Sequence, residues 1–152
     1  MIWKPHVTVA AVIEKDSRFL MVEETTPDGI KFNQPAGHLE PGESLLDAVR
    51  REVLEETAWV FEPDAIISVQ LWRKSPEAPS FLRFCFSGQT LSHQAERQLD
   101  EGIIAAHWLS YEEVLAKREV LRSPLVITCI EAFMKNQVHP LSMLQALLDT
   151  HE

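Results

Sequence analysis

Short runs rich in valine, isoleucine and phenylalanine alternate along this sequence with segments whose apolar residues recur at helical spacing, and a chain patterned this way folds as strands and helices layered together. His6 to Ile13 and Arg18 to Val22 read as strands on either side of the turn-like Glu14–Ser17, so a β-hairpin opens the chain. Pro27, Asp28 and Gly29 mark a turn within Thr25–Ile30, and Lys31–Pro35 leads as loop into the glycine-containing stretch Ala36–Gly42. Ser44, with Asp47 three residues on, resembles a capping box, and Leu46, Val49 and Val53 then keep helical spacing to Thr57. Strands are expected at Ile66–Arg73, Phe81–Ser87 and Ile103–Leu109, the first two separated by a proline-bearing loop. Ser110 can cap a short helix over Tyr111–Lys117, and Ser123 a helix with Pro124 in its first turn, running through Leu125–Lys135. Pro140–Asp149 reads as one more helix. With 152 residues and no repeat, low-complexity run or linker, the expectation is one domain, 1–152, of mixed α/β layers around one sheet.

Composition narrows the partners. A formal net charge of −9 argues against gripping a nucleic-acid backbone, which needs a concentrated basic surface, and suits the binding of metal cations instead. Cys85 and Cys129 sit in apolar runs without CxxC spacing, so they read as buried thiols and not as zinc or redox ligands. The N-terminal apolar run is too short to span a bilayer and lacks the order of a signal peptide, which leaves no membrane partner and the cytoplasm as the expected location.

The chemistry concentrates in Gly37–Trp59. Glu52, Glu55 and Glu56 stand at i, i+3 and i+4, so on a helix they project from one face within reach of a common point. Three like charges there repel unless a divalent cation, which favours hard carboxylate oxygens, lies between them. An acidic triplet by itself more often marks a solvated helix face. Here it follows a loop in which Gly37 and Gly42 let backbone approach a ligand, and the loop ends at a helix N-terminus. Arg51 is expected to lock against a carboxylate, Glu43 being the nearest in pattern, and so fix the loop relative to the acidic helix.

The spacing of Gly37, Glu43 and Arg51-Glu52-Val53-Leu54-Glu55-Glu56 resembles the Nudix box: a glycine, five residues, a glutamate, seven residues, then REUxEExGU. The resemblance to this MutT-like family implies an α/β/α sandwich with a mixed sheet and a hydrolase that cuts phosphoanhydride bonds with magnesium, or manganese in its place. It implies Glu52 and Glu56 as metal ligands, Glu55 as a further ligand or water-positioning group, and the backbone carbonyl of Ala36 completing the shell. One position departs from the pattern: Ala58 stands where the box has its second glycine, a helix-ending site at which alanine bears a steric penalty. The segments HVTVAAVI, NQPAGHLEPGESL, FLRFCF and LRSPL look like one branch of the family, the NudJ-type phosphatases. That likeness implies action on nucleoside tri- and diphosphates and on hydroxymethylpyrimidine diphosphate, with orthophosphate as a product. A dinucleotide or nucleotide-sugar pyrophosphatase, or a nucleotide-sensing domain without turnover, is the alternative.

Some members of the family take another acid from the loop before the strand that ends in tryptophan, and here the candidates are Asp100 and Glu101, with Glu101 assigned a catalytic place. Arg83, mid-strand in an apolar run, is either a substrate-phosphate contact or half of a structural ion pair, and Arg122 before the Ser123-Pro124 helix start has the same two readings. His38 either braces the loop or meets substrate. Trp72, Trp108 and Phe81 could stack a base, although large aromatics on strands more often fill a core. The remaining histidines, His6, His93, His107, His139 and His151, show no ligand spacing. The implied partner is a small phosphorylated substrate with a divalent metal, bound by a monomer or homodimer.

Overall fold

Apolar residues occupy both faces of the first strand, and this decides the layering. In β1 (His6–Val12), Val9 and Ala11, followed by Ile13, face one side while Ala10 and Val12 face the other, all of them buried. A strand buried on both faces needs cover on both. The computed structural model describes residues 1–148 and supplies that cover as helices above and below. After β1 come β2 (Glu14–Lys15), β3 (Arg18–Thr26), β4 (Gly29–Asn33) and β5 (Ala36–His38). Helix α1 (Leu45–Thr57) follows, then β6 (Trp59–Arg73), β7 (Ser80–His93) and β8 (Ile103–Ser110). The described chain closes with α2 (Tyr111–Ala116), α3 (Leu125–Met134) and β9 (His139–Pro140).

One sheet runs β5-β1-β7-β6-β9, with β1 and β7 parallel and the other pairs antiparallel, so it is mixed. The strands thus form two sheets and not the one expected: in the second, β3 pairs with β2, β4 and β8, so the hairpin that opens the chain joins β3 to Glu14–Lys15 and not to His6–Val12, which lies in the first sheet. Ala48, Val49 and Val53 of α1 pack with Val9, Ala11, Leu20 and Phe86. Val126, Cys129 and Ile130 of α3 and Val114 of α2 pack with Ala10, Val12, Phe19 and Met21 on the opposite side. Both cysteines are buried and free in that second layer, in keeping with their apolar surroundings in the sequence. No helix among the described residues is long and apolar enough to cross a membrane.

Several expected boundaries move. Thr25 and Thr26 belong to β3 and Gly29–Asn33 forms β4, so only Pro27 and Asp28 make the turn of what was read as a turn and a loop. Ala36–His38 is a strand, paired with Thr8–Ala10, where a loop was expected. Strand β6 begins at Trp59 and not Ile66, because Glu62, Pro63 and Asp64 interrupt the apolar pattern while register shifts flank Pro63, the kind of irregularity at which a strand tolerates proline. Pro124, not Ser123, occupies the cap position of α3, although the Ser123 hydroxyl still accepts from the Leu125 N–H at 3.2 Å. The helix expected over Pro140–Asp149 does not form among its described residues, and Asp149 lies outside them. Pro140 instead pairs with Ala65 of β6, and after a short 3-10 turn Leu144 joins Leu141 in packing against the α1-side core.

Candidate active site

Helix α1 starts where the sequence says it should, with the Ser44 hydroxyl accepting from the Asp47 N–H at 3.1 Å. It stops at Ala58, which adopts the left-handed conformation (φ 64°, ψ 11°) and donates its N–H to the Leu54 carbonyl. The penalty anticipated for alanine is thus present in the fold, at the far end of the helix from Glu43 and without contact in the acidic cluster. Glu40-Pro41-Gly42-Glu43 turns tightly into the helix, with Glu43 N–H on the Glu40 carbonyl at 3.3 Å and Gly42 at φ 81°, a backbone state that favours glycine.

Arg51 ties this turn to the acids, and all five of its N–H donors are engaged. Nε and one terminal nitrogen hold the two Glu43 oxygens at 3.0 and 2.7 Å, the ion pair the pattern suggested. The same terminal nitrogen donates to the His38 carbonyl at 2.9 Å, and the other reaches Glu52 at 2.8 Å and Glu55 at 3.2 Å. The guanidinium therefore sits among four carboxylates, Glu40 being the fourth at 3.6 Å, and its neighbours hold its pKa above the ordinary range, the Glu43 hydrogen bond foremost.

Glu52 and Glu56 are each 8% exposed. Burial pushes the Glu56 carboxyl up to about 9 against the opposing Ala36 N–H, which it accepts at 2.8 Å, while Glu52, Glu24 and Asp100 nearby push the same way as burial. Burial also raises Glu52, to about 6, with Arg51 pulling the other way. The oxygens of Glu52, Glu55 and Asp100 lie within 4.8 Å of one another. The loop acid that joins the cluster is thus Asp100; Glu101, to which the sequence reading gave the catalytic place, is exposed and not among the converging groups. Asp100 is aimed there because its N–H donates to the Glu55 carbonyl at 3.0 Å and its carbonyl accepts from Ile103. The converging donors are carboxylate oxygens alone, a set suited to a hard divalent ion such as magnesium or manganese. What Ala36 offers the acids is its N–H, through Glu56.

Strand β5 borders both the acids, through Ala36 on Glu56 and Gly37 against Glu52, and a cleft of about 380 Å³, which Ala36, Gly37 and His38 line together with Glu24. A Cβ on Gly37 would fall 2.0 Å from the Glu52 carboxyl carbon, so only glycine lets the strand lie against that carboxylate. Gly37→Ala is expected to push Glu52 aside and lower kcat about a hundredfold, because misplacing a reacting group by an ångström costs that much. The flexible end of Glu52 can swing away, so the melting temperature should move little; parallel kinetics and thermal melts check both, and unchanged turnover would contradict the packing argument.

Arg83 lies in this cleft, 6% exposed, and no carboxylate pairs with it among the described residues, which counts against the ion-pair reading. Two amide oxygens and a thiol hold it: Gln34 Oε1 at 2.8 Å, Gln70 Oε1 at 3.3 Å and Cys129 Sγ at 3.3 Å, a thiol whose pKa the neighbouring Cys85 and Arg83 lower. Arg122 also lines the cleft but does have a partner, Glu24, at 2.9 Å. Glu24 escaped the sequence reading; a carboxylate late in an apolar strand was the available signal. The His38 carbonyl braces the loop through Arg51, while its ring stands 5.5 Å from His6 and 6.4 Å from Phe81. Burial and His6 lower the His38 pKa. Trp72 and Phe81 are cleft residues, with ring centroids 6.3 Å apart, whereas Trp108 packs on Trp59 against the α1-side core.

A family model of the NUDIX domain matches residues 4–128. Phosphatase NudJ of Shigella boydii is 41% identical over 142 residues, covering 93% of this chain and 92% of that protein. Phosphatase NudJ of Escherichia coli K12 is 40% identical over the same shares. A solved NUDIX hydrolase from Nitrosomonas europaea is 49% identical and superposes with a TM-score of 0.91, over 94% of this chain and 97% of the other.

Proposed function

This chain belongs to the NUDIX domain family and is a hydrolase of acid anhydrides, and on that premise we propose that it removes the terminal phosphate of nucleoside tri- and diphosphates in the presence of magnesium. Small pyrimidine-bearing diphosphates, hydroxymethylpyrimidine diphosphate among them, belong to the same proposal, given the likeness to phosphatase NudJ and the modest size of the cleft. The observation that carries it is the meeting, at strand β5, of an acidic cluster with a cleft holding a buried guanidinium that has no carboxylate of its own.

Glu52, Glu55 and Glu56 would hold the cation, with the Ala36 carbonyl as a further oxygen and Mn2+ able to replace Mg2+. The ion, when bound, neutralises phosphate charge and acidifies the attacking water. Asp100, exposed at the edge of the cluster, is placed to accept the water's proton on a carboxylate oxygen. Arg83 and Arg122 grip phosphate oxygens from the cleft, and Trp72 and Phe81 offer a face to the ring of the substrate. Water oxygen bonds to the terminal phosphorus, the anhydride P–O bond breaks, and orthophosphate leaves with a product one phosphate shorter. Gly37, Glu43 and Arg51 take no part in bond exchange and keep the acids in register.

Chromatography of a nucleoside triphosphate during turnover tests the site of attack. Orthophosphate with a transient diphosphate is expected. Immediate monophosphate with pyrophosphate would overturn terminal attack in favour of a general pyrophosphatase, and cleavage confined to dinucleotides or nucleotide sugars would favour that class of substrate.

A further inference from the structure

Beyond Arg122 the cleft opens into a second cavity of about 650 Å³ for which the proposed reaction has no use. The two share Asp28, Trp72, Lys74, Arg122 and Ser123, so a molecule in one can extend into the other. Lys31, Lys74, Arg118 and Arg122 line the second cavity against only Asp28 and Glu119, an excess of positive charge on a chain whose net charge is −9. Among the described residues, neither Lys31, Lys74 nor Arg118 has a carboxylate within salt-bridge distance. Lys31 stands directly across from Glu24 in the β3–β4 ladder, the ordinary place for an ion pair. Glu24 is committed to Arg122 instead, which leaves the lysine available. Arg118 donates Nε to the Leu115 carbonyl at 3.1 Å, a bond that fixes the side chain while sparing its terminal nitrogens. Leu121, Pro124 and Ile127 supply apolar wall. Unpaired cations around a partly apolar hollow are an arrangement for a phosphate on an organic stem.

We propose that this cavity is a second anion subsite, taking a phosphate ester on the sugar of a nucleotide whose diphosphate lies at the acidic cluster, an inference that presumes the terminal hydrolysis proposed for the adjoining cleft. Lys31 and Arg118 hold the ester phosphate, and Arg122, anchored by Glu24, marks the boundary between the two compartments.

The test compares a nucleoside 5′-diphosphate with the same compound carrying a 3′-phosphate. Wild type should show a KM about tenfold lower for the 3′-phosphorylated substrate, the scale of one charge-assisted contact. Lys31→Gln/Arg118→Gln should abolish that advantage while leaving kcat and KM for the plain diphosphate unchanged. Equal KM values in wild type, or an advantage that survives in the double variant, would overturn the subsite. Should neither compound be hydrolysed, calorimetric binding of adenosine 3′,5′-bisphosphate against adenosine 5′-monophosphate decides separately: a preference of about tenfold that the double variant loses supports the subsite, and equal affinity refutes it.

Discussion

Glu56→Gln is expected to lower turnover about a hundredfold or more and, in chelator above neutral pH, to raise the melting temperature. The first effect follows from removing a charged oxygen donor while keeping its shape. The second follows from proton linkage. The folded protein holds the Glu56 carboxyl at about 9, against 4.5 for the group in its ordinary state. Between those values the folded chain keeps a proton that the unfolded chain has released, so the stability of the cation-free protein falls as pH rises from about 4.5 toward 9. Glutamine accepts the same Ala36 N–H and never ionises, so the variant should lose part of this decline; Glu52, raised to about 6, contributes the rest at lower pH. Thermal melts at pH 6 and pH 9, with kcat in magnesium, check both effects. Wild-type turnover in the variant would remove Glu56 from the site, and an unchanged pH slope would remove it from the linkage.

Arg51→Lys should cost about 2 kcal/mol of stability, moderated by the side chain's partial exposure, and reduce kcat about tenfold or more. A lysine ammonium has three donors and no planar fork, so it cannot meet both Glu43 oxygens together with His38, Glu52 and Glu55. Glu52 and Glu55 would then face each other with less compensation, and the turn at Gly42 would lose its tether. Chemical denaturation and steady-state kinetics give the two numbers. A lysine variant as stable and active as wild type would show that charge alone, without the forked geometry, holds the cluster.

What could be read from the sequence tracks how local the governing rule is. Helix α1 was legible because its cap at Ser44, its period and its end near Ala58 are all set within a few residues, and so was the Arg51–Glu43 pair. Which of two adjacent loop acids turns inward was not, since no periodicity fixes a loop side chain; backbone bonds of Asp100 to Glu55 and Ile103 decide it. Arg83 stands out in the sequence as a cation within an apolar run, but its partners Gln34, Gln70 and Cys129 come from elements far apart in sequence. Leu141 and Leu144 carry helical spacing, yet the pairing of Pro140 with Ala65 determines how that segment meets the core.

If the carboxylates of α1 hold the divalent cation that the hydrolysis requires, activity must follow the metal. Orthophosphate release from a nucleoside diphosphate by chelator-treated protein, measured before and after magnesium is added, tests it most directly. Wild type should show no turnover in chelator and full turnover on addition of magnesium or manganese, with Glu56→Gln remaining near the chelated baseline at the same metal concentration. Turnover that persists undiminished in chelator, or a Glu56→Gln protein that magnesium restores to the wild-type rate, would contradict it.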